Sequence, residues 1–210
     1  MYNKNNAIKI LKILKKYYPD AKCSLNFSTP FELLIATILS AQCTDERVNK
    51  TTPNLFKNYS TPKDIQAMDI NELENIIHPC GFYKNKSKNI KACAHKIITD
   101  FNGNVPKTMD ELISLPGVGR KTANVVMLNA FNLPQGIAVD THAKRISNLI
   151  GLSKEEDPVK IEQDLLKIFP YEYLKDVNHL FVWHGRNICI ARKPKCEICP
   201  INMYCKHYSK

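Results

Sequence analysis

The sequence predicts an all-α protein, because apolar residues recur with the period of a helix along nearly the whole chain. Phe31, Leu34 and Ile35 open one such stripe with the i, i+3, i+4 spacing of a buried helix face. Candidate helix starts at Thr29 and Thr108 are each followed three positions later by Glu, which is the pattern of a capping box. No stretch alternates between apolar and polar residues as a half-buried strand would.

The helical pattern continues along the chain and stops shortly before the C-terminus. Ile90, Ala94 and Ile97 mark an amphipathic helix that Gly103 should end. Beyond Cys189, cysteine, proline and basic residues dominate, and the regular periodicity is lost. We therefore expect a helical body followed by an irregular, basic C-terminal loop.

Composition limits the class of protein and suggests the class of partner. The 210 residues are enough for one large domain or two small ones, and their formal net charge is +10. A basic excess of this size suggests a polyanionic partner such as nucleic acid, although a compositional bias towards Lys, Asn and Ile would produce the same excess. No signal segment and no apolar stretch as long as a membrane span is present in the sequence. We expect a cytoplasmic protein without a membrane partner.

The most informative stretch for function is LPGVGRKTA at residues 115–123. A helix should end at Pro116, and a new helix should begin directly after Gly119. Gly117 and Gly119 allow a tight turn and a close approach of the backbone to a ligand, and N–H groups at a helix start, here from Arg120 onward, bind anions well. The stretch therefore predicts either a phosphate cradle or a plain helix–helix turn.

Lys121 is a candidate nucleophile within this stretch. It falls in the first turn of the new helix, where the helix dipole and the adjacent Arg120 both disfavour the charged ammonium form. An uncharged lysine amine can form a Schiff base with a carbonyl carbon of a substrate. The alternative interpretation is an ordinary solvated lysine.

Asp140 follows Lys121 by nineteen positions, in the segment AVDTHA at residues 138–143. An apolar stretch ends there and a helix begins, which makes Asp140 a candidate N-cap. The cap position keeps the carboxylate ionised, and an ionised carboxylate near a sugar C1′ carbon would stabilise an oxocarbenium-like transition state. Capping and catalysis are compatible roles for this residue.

A metal site is predicted in the C-terminal loop, because four cysteines lie within seventeen residues there. They are Cys189, Cys196, Cys199 and Cys205. Four thiolates can converge on one zinc ion or on one iron–sulfur cluster, and the spacing does not separate these alternatives. Lys193 and Lys195 lie between the first two cysteines, so the loop is either a fixed grip for phosphates or a solvated basic tail.

Another basic stretch, with five lysines and no acidic residue, lies in the middle of the chain. Its lysines are Lys84, Lys86, Lys88, Lys91 and Lys96. The stretch predicts either an edge that binds a nucleic-acid backbone or an exposed helix face.

With LPGVGRKTA and the segment VDTH at residues 139–142, the chain resembles the endonuclease III family over nearly its whole length. The resemblance implies a two-lobed helix-hairpin-helix DNA glycosylase fold with a C-terminal iron–sulfur cluster loop. It implies that Lys121 attacks C1′ of a damaged nucleotide and that Asp140 assists base loss. It also implies a [4Fe–4S] cluster, held by Cys189, Cys196, Cys199 and Cys205.

The same resemblance assigns Gln42 and Phe82 to the side chains that enter the duplex when a nucleotide is flipped out. Phe82 departs from the aliphatic residue expected in the family, but an aromatic ring could fill the gap equally well. Without the resemblance, Gln42 suggests an exposed helix end and Phe82 a core residue. The interval between Lys121 and Asp140 also departs slightly from the family pattern, and the loop at residues 133–136 should hold the extra length.

We expect one lobe at residues 22–132, ending in the hairpin, and another that joins residues 1–21 to residues 133–210. Lys121 and Asp140 would face each other across the groove between these lobes. The expected protein is a monomeric, bifunctional DNA glycosylase and AP lyase of base excision repair, associated with the nucleoid. The resemblance implies that it removes oxidised pyrimidines from double-stranded DNA and cuts the strand on the 3′ side by β-elimination. The alternatives are a monofunctional glycosylase of the same fold, which Lys121 disfavours, and a non-catalytic DNA-binding module.

Overall fold

The computed structural model describes residues 4–208, and regular structure in this range is helical. Eleven α-helices occur there: α1 (Lys4–Tyr17), α2 (Pro30–Leu39), α3 (Asp45–Phe56), α4 (Pro62–Ala67), α5 (Ile70–Ile77), α6 (Tyr83–Phe101), α7 (Met109–Ile113), α8 (Arg120–Phe131), α9 (Thr141–Ile150), α10 (Pro158–Ile168) and α11 (Leu174–Asn187). Short 3₁₀ segments occupy His78–Cys80, Tyr171–Tyr173, Cys196–Ile198 and Asn202–Tyr204. No β-strand occurs among residues 4–208, and the predicted all-α class is confirmed. In the same range, no helix is long and apolar enough to cross a membrane.

The chain divides into two compact units, each with an apolar core of its own. The contiguous unit is Cys23–Leu133, and the discontinuous unit joins Met1–Lys22 to Pro134–Lys210. Helices α2 to α8 belong to the contiguous unit, and α1 and α9 to α11 belong to the discontinuous one.

Helix α2 is the centre of the contiguous unit, since every side chain of residues 31–39 is buried. The sequence pattern predicts one buried stripe, whereas neighbouring helices cover α2 on all its faces, and α8 packs directly against it. Thr29 caps the helix by accepting the N–H of Glu32 at 3.1 Å, but the Glu32 carboxylate accepts the N–H of Ser28, not that of Thr29. The carboxylate of the predicted capping box therefore binds the N–H one residue before the N-cap instead of the N–H of the N-cap itself.

Helix α6 begins before the predicted apolar stripe and ends where the sequence indicates. Its first turn follows Phe82, and its last residue is Phe101. Asn102 continues the chain in the left-handed conformation, with φ of 51°, and Gly103 donates its N–H back to Ile97 O at 2.9 Å. This arrangement satisfies a carbonyl at the helix end, as C-terminal caps commonly do.

The discontinuous unit depends on packing between α1 and α11. The inward face of α1 is almost completely buried: Ala7, Ile10, Leu11 and Leu14 are at most 1% exposed. An ion pair at 2.8 Å joins Lys15 of α1 to Asp176 of α11. The N-terminal helix is thus an integral part of a core whose other helices come from the C-terminal part of the chain.

Candidate functional site

The glycine turn predicted at residues 115–123 joins α7 to α8. Leu115 donates its N–H to Leu112 O, and Val118 donates its N–H to Leu115 O, each at 3.1 Å. Gly117 lies in the left-handed region, with φ of 79°, and Gly119 is the N-cap of α8. Gly119 has no side chain to cap the first turn, so the turn presents backbone N–H groups at a helix start, as an anion site requires.

The two glycines of this turn contribute to it in different ways. A Cβ on Gly117 would lie 3.0 Å from Asn89 Cβ, in a backbone conformation that side chains rarely adopt. A Cβ on Gly119 would point into open space, and its φ of −96° is open to any residue. The turn therefore needs glycine at residue 117 for its own geometry, whereas at residue 119 glycine only keeps the surface bare.

Arg120 and Lys121 are the first residues of α8, and both side chains are exposed. The buried face of α8 holds these residues in place: Ala123, Val126 and Met127 are all 0% exposed. An amine on a rigid helix start is well placed to act as a nucleophile, because the scaffold fixes its direction of approach.

Asp140 belongs to the discontinuous unit and is the N-cap of α9, as predicted from the sequence. Its Oδ1 accepts the N–H of Ala143 at 2.8 Å, and the side chain is half-buried. One carboxylate oxygen is thus engaged in the cap, which fixes the orientation of the group.

The extended segment that leads to Asp140 is held by side chains instead of a sheet. The buried Glu162 accepts the N–H of Ile137 at 3.1 Å, and Asn178 accepts the N–H of Ala138 at 2.7 Å. Asn178 also donates to Gly136 O at 3.3 Å. Glu162 and Asn178 therefore position the segment that carries the candidate catalytic carboxylate. No local sequence pattern indicates either residue, because both lie on distant helices.

Gln42 and Phe82 share an unusual backbone conformation. Their φ angles are 53° and 48°, in the left-handed region that costs a side-chain-bearing residue roughly 1–2 kcal/mol. Among residues 4–208, the other non-glycine residues with positive φ are Asn102 and Asn132, and asparagine tolerates this region. Both Gln42 and Phe82 are exposed, and Phe82 is 63% exposed, so a core role for Phe82 is wrong.

The basic stretch on α6 is not a uniform edge. Lys84 and Lys88 are exposed, but Lys86 is only 5% exposed, and its ammonium donates to Leu39 O at 2.8 Å and to Cys80 O at 2.9 Å. Lys91 donates to the carbonyls of residues 65, 66 and 68 at the end of α4. Burial lowers the pKa of Lys86. The ammonium groups of Lys86 and Lys91 are therefore bonded to backbone carbonyls inside the contiguous unit.

The four cysteines of the C-terminal loop line one pocket of the discontinuous unit. Apolar side chains complete its wall, namely Ile146, Leu149, Ile150, Ile188 and Ile201. Burial raises the pKa of the Cys199 thiol to about 11 and also raises that of Cys189, so thiolates here need a positive charge close by. A bound metal centre supplies that charge.

The lining of this pocket suits a metal centre that is held by thiolates. A zinc ion draws its four sulfurs to about 2.3 Å from one centre, and a polynuclear cluster holds its thiolates farther apart. A pocket lined by four cysteines fits either centre.

Polar groups from neighbouring helices surround the cysteine pocket. Arg145 Nε of α9 donates to Cys189 O at 3.1 Å. His184 of α11 is 1% exposed and lies between Tyr18 and Cys199, with Nδ1 3.1 Å from the Tyr18 hydroxyl and Nε2 3.5 Å from Cys199 Sγ. Burial lowers the pKa of His184 to about 4, so the ring is neutral, and the pairing suits the tautomer with the proton on Nε2. His184 thus links α1 to the wall of the cysteine pocket.

Lys193 and Lys195 are exposed on the loop between Cys189 and Cys196. Lys195 donates its backbone N–H to Ile188 O at 3.0 Å, which ties the loop back to the end of α11. The ammonium groups of Lys193 and Lys195 therefore lie on a loop whose backbone is fixed by a hydrogen bond to the end of α11. Cations on such a loop suit contacts with phosphates.

Two protein families match the chain. The HhH-GPD superfamily of base excision DNA repair proteins matches residues 35–171, and the iron–sulfur binding domain of endonuclease III matches residues 189–205. The first match spans most of the contiguous unit together with α9 and α10, and the second spans the four cysteines.

Individual proteins match over almost the full length. Endonuclease III of Synechocystis sp. is 50% identical over 202 residues, which cover 96% of this chain and 92% of that protein. The solved structure of a trapped endonuclease III–DNA covalent intermediate superposes with a TM-score of 0.94 at 44% identity, and the match covers 100% of this chain and 98% of that one. A non-covalent endonuclease III–DNA complex matches with the same TM-score, identity and coverage.

Proposed function

Because the chain belongs to the endonuclease III family and to the HhH-GPD superfamily of base excision DNA repair proteins, we propose that Lys121 and Asp140 are its catalytic residues. The protein is a bifunctional DNA glycosylase and AP lyase with a [4Fe–4S] cluster as cofactor. It binds DNA, and we propose that it acts as a monomer on oxidised pyrimidines and abasic sites in the duplex DNA of the nucleoid.

The reaction begins when the damaged nucleotide leaves the base stack, which base-directed enzymes require. Gln42 and Phe82 are the side chains that fill the vacated space. Their exposure and their left-handed backbone support this role, because strained, solvent-facing residues cluster at functional sites. The bare turn at Gly117 and Gly119, with Arg120 beside it, holds a phosphate of the same strand.

Lys121 and Asp140 carry out the chemistry on the flipped nucleotide. The Lys121 amine attacks C1′ and loses a proton, while the N-glycosidic bond breaks and its electron pair leaves with the base. The Asp140 carboxylate stabilises the positive charge that develops on the sugar. Opening of the sugar ring leaves a Schiff base between Lys121 and C1′. Loss of a proton from C2′ then expels the phosphate from C3′, which cuts the strand on the 3′ side.

The C-terminal loop contributes binding rather than bond breaking. Cys189, Cys196, Cys199 and Cys205 hold the [4Fe–4S] cluster, which supplies iron–thiolate bonds that close the loop when it is bound. The closed loop presents Lys193 and Lys195 to the DNA backbone. Their attraction to phosphates is independent of sequence and weakens as salt rises.

The observation that carries this proposal is the exposed Lys121 amine at a bare helix start, in a chain similar to an enzyme trapped covalently on DNA. The test is borohydride reduction during incubation with a duplex that contains one abasic site. We expect a covalent protein–DNA adduct and a cut strand. Base release without an adduct or a cut would favour the monofunctional glycosylase, and binding without any product would favour a non-catalytic module.

The glycine turn allows its structural and binding roles to be separated. Gly117→Ala is expected to lower the free energy of unfolding by about 1–2 kcal/mol, because alanine is strained at positive φ. Gly119→Ala should lower the free energy of unfolding by about 0.5–1 kcal/mol, because alanine is a poorer N-cap than glycine. It should also weaken duplex binding roughly tenfold, because the methyl group stands between a phosphate and the helix-start N–H groups. Thermal melts and fluorescence anisotropy on abasic duplex measure the two effects. Unchanged affinity in a folded Gly119→Ala protein would refute the phosphate cradle.

The cluster is tested through one of its cysteines. Cys199→Ser is expected to reduce iron per chain and the brown absorbance of the purified protein, and to weaken duplex binding roughly tenfold, because the basic loop is no longer closed. Cys23→Ser, outside the loop, is the matched control and should keep both iron and affinity. Zinc in place of iron in a colourless wild-type protein would contradict the iron–sulfur assignment.

A further inference from the structure

Lys86 is a buried cation whose partners lie at the ends of two separate helical segments of the contiguous unit, each followed by a loop. Its ammonium donates to Leu39 O at 2.8 Å, across 47 positions of sequence, and to Cys80 O at 2.9 Å. Leu39 is the last residue of α2, and Cys80 is the last residue of the 3₁₀ segment His78–Cys80. A single ammonium thus satisfies carbonyls at two helix ends, where a positive charge is favoured.

Each of these helix ends leads directly into a residue with left-handed backbone. Gln42 lies three residues after Leu39, and Phe82 lies two residues after Cys80. Both side chains are exposed. A strained backbone conformation persists only where the surrounding structure enforces it. The carbonyls of Leu39 and Cys80, which Lys86 fixes just before Gln42 and Phe82, can enforce the left-handed conformation of these two residues.

The two loops also touch each other. The Cys43 thiol lies beside the Cys80 thiol: burial raises the pKa of Cys80, and the neighbouring Cys43 adds to the rise. The backbone N–H of Lys86 donates to Phe82 O at 3.0 Å, so the start of α6 belongs to the same arrangement. Lys86 therefore stands at the junction of three segments: the end of α2, the end of the 3₁₀ segment and the start of α6.

We propose that Lys86 is a positioning residue for DNA insertion: its buried ammonium holds together the two loops that present Gln42 and Phe82 to the duplex. The inference rests on the proposed function of these two side chains and adds the group that fixes them. Lys86 touches no substrate and acts through the backbone. Its loss impairs the steps that need insertion into a duplex and spares the chemistry at Lys121.

The test compares Lys86→Met with the wild-type holoenzyme on two substrates. The first is a lesion duplex with 2-aminopurine opposite the damaged base, whose fluorescence reports insertion. The second is a single-stranded abasic oligonucleotide, which has no opposite strand to invade. We expect Lys86→Met to reduce the fluorescence change and duplex incision roughly tenfold or more, and single-strand cleavage no more than about twofold.

A double-mutant cycle decides whether Lys86 acts through the two side chains. In a Gln42→Ala/Phe82→Ala background, Lys86→Met should cause no further loss of duplex incision, because there is nothing left to position. The same fold-loss in both backgrounds would overturn the inference. The cycle is repeated with Lys86→Gln, which keeps a donor and is the milder change for folding. Unchanged insertion in folded Lys86→Met, which has no donor, would also overturn it.

Lys91→Met is the matched control, because Lys91 also lies on α6 and also donates to carbonyls at a helix end. Its partners are Ile65 O at 2.9 Å, Gln66 O at 2.6 Å and Met68 O at 2.5 Å. This variant should lose stability without losing the insertion signal, and a selective duplex defect in it would overturn the role of Lys86. If the wild type cuts neither substrate, the proposed function itself fails. If it cuts both and the cycle is additive, the inference on Lys86 fails alone.

Discussion

Replacing Lys121 with glutamine is expected to lower strand cleavage at an abasic site by about a thousandfold or more, because the amide cannot form a Schiff base. The change also abolishes the borohydride-trapped adduct. Duplex affinity should fall by less than about tenfold, since Lys121 contributes only one of several cations near the phosphates. Single-turnover cleavage of an abasic duplex, adduct formation on denaturing gels and anisotropy measure these three quantities.

Lys63→Gln provides the matched control for this change. Lys63 is an exposed lysine of α4 in the same unit, and it has no place in the proposed chemistry. Cleavage and trapping by this variant should equal those of the wild type. A trapped adduct of wild-type yield in Lys121→Gln would show that another amine attacks C1′, and the assignment of the nucleophile would be wrong.

Asp140→Asn and Asp140→Ala are expected to separate catalysis from helix capping. Asparagine can still accept the N–H of Ala143, so the free energy of unfolding should change by no more than about 0.5 kcal/mol. Alanine loses the cap, which should lower the free energy of unfolding by about 1 kcal/mol. Both changes remove the negative charge and should slow base release roughly 100-fold or more. Base release from a lesion duplex under single-turnover conditions and denaturant unfolding are the measurements.

Asp157→Ala is the control for a cap without catalysis. Asp157 Oδ1 accepts the N–H groups of Val159 and Lys160 at 3.0 Å, at the start of α10 in the same unit. This variant should lose about 1 kcal/mol of stability and keep its rate of base release. If Asp140→Asn released bases at the wild-type rate, the carboxylate would have only the structural role.

Local patterns were sufficient for the helices and for part of the candidate site. The glycines at residues 117 and 119 predicted the turn, and Asp140 predicted an N-cap, because both signals depend on neighbours within a few residues. The four cysteines likewise predicted a shared pocket. Helical periodicity located α2 but underestimated its burial, since a stripe pattern cannot report how many helices surround it.

The parts of the site that the sequence did not reveal depend on contacts between distant residues. Lys86 looks like its lysine neighbours in the sequence, and only its partner 47 residues away distinguishes it. Asn178 accepts the N–H of Ala138, which lies 40 residues away in the sequence, and Glu162 accepts the N–H of Ile137, which lies 25 residues away. No local pattern encodes such pairings. The sequence also left the position of Phe82 open, because an aromatic residue before a helix fits a core as well as a surface.

The two parts of the discontinuous unit are translated at different times, because the contiguous unit lies between them in the sequence. Helix α1 leaves the ribosome before the contiguous unit, whereas the helix it packs against, Leu174–Asn187, is translated after that unit. The contiguous unit, Cys23–Leu133, can complete its own core while translation continues, since domains generally fold as units. During that interval the nascent chain exposes the apolar face of α1, and transiently exposed apolar surface of this kind is prone to aggregation.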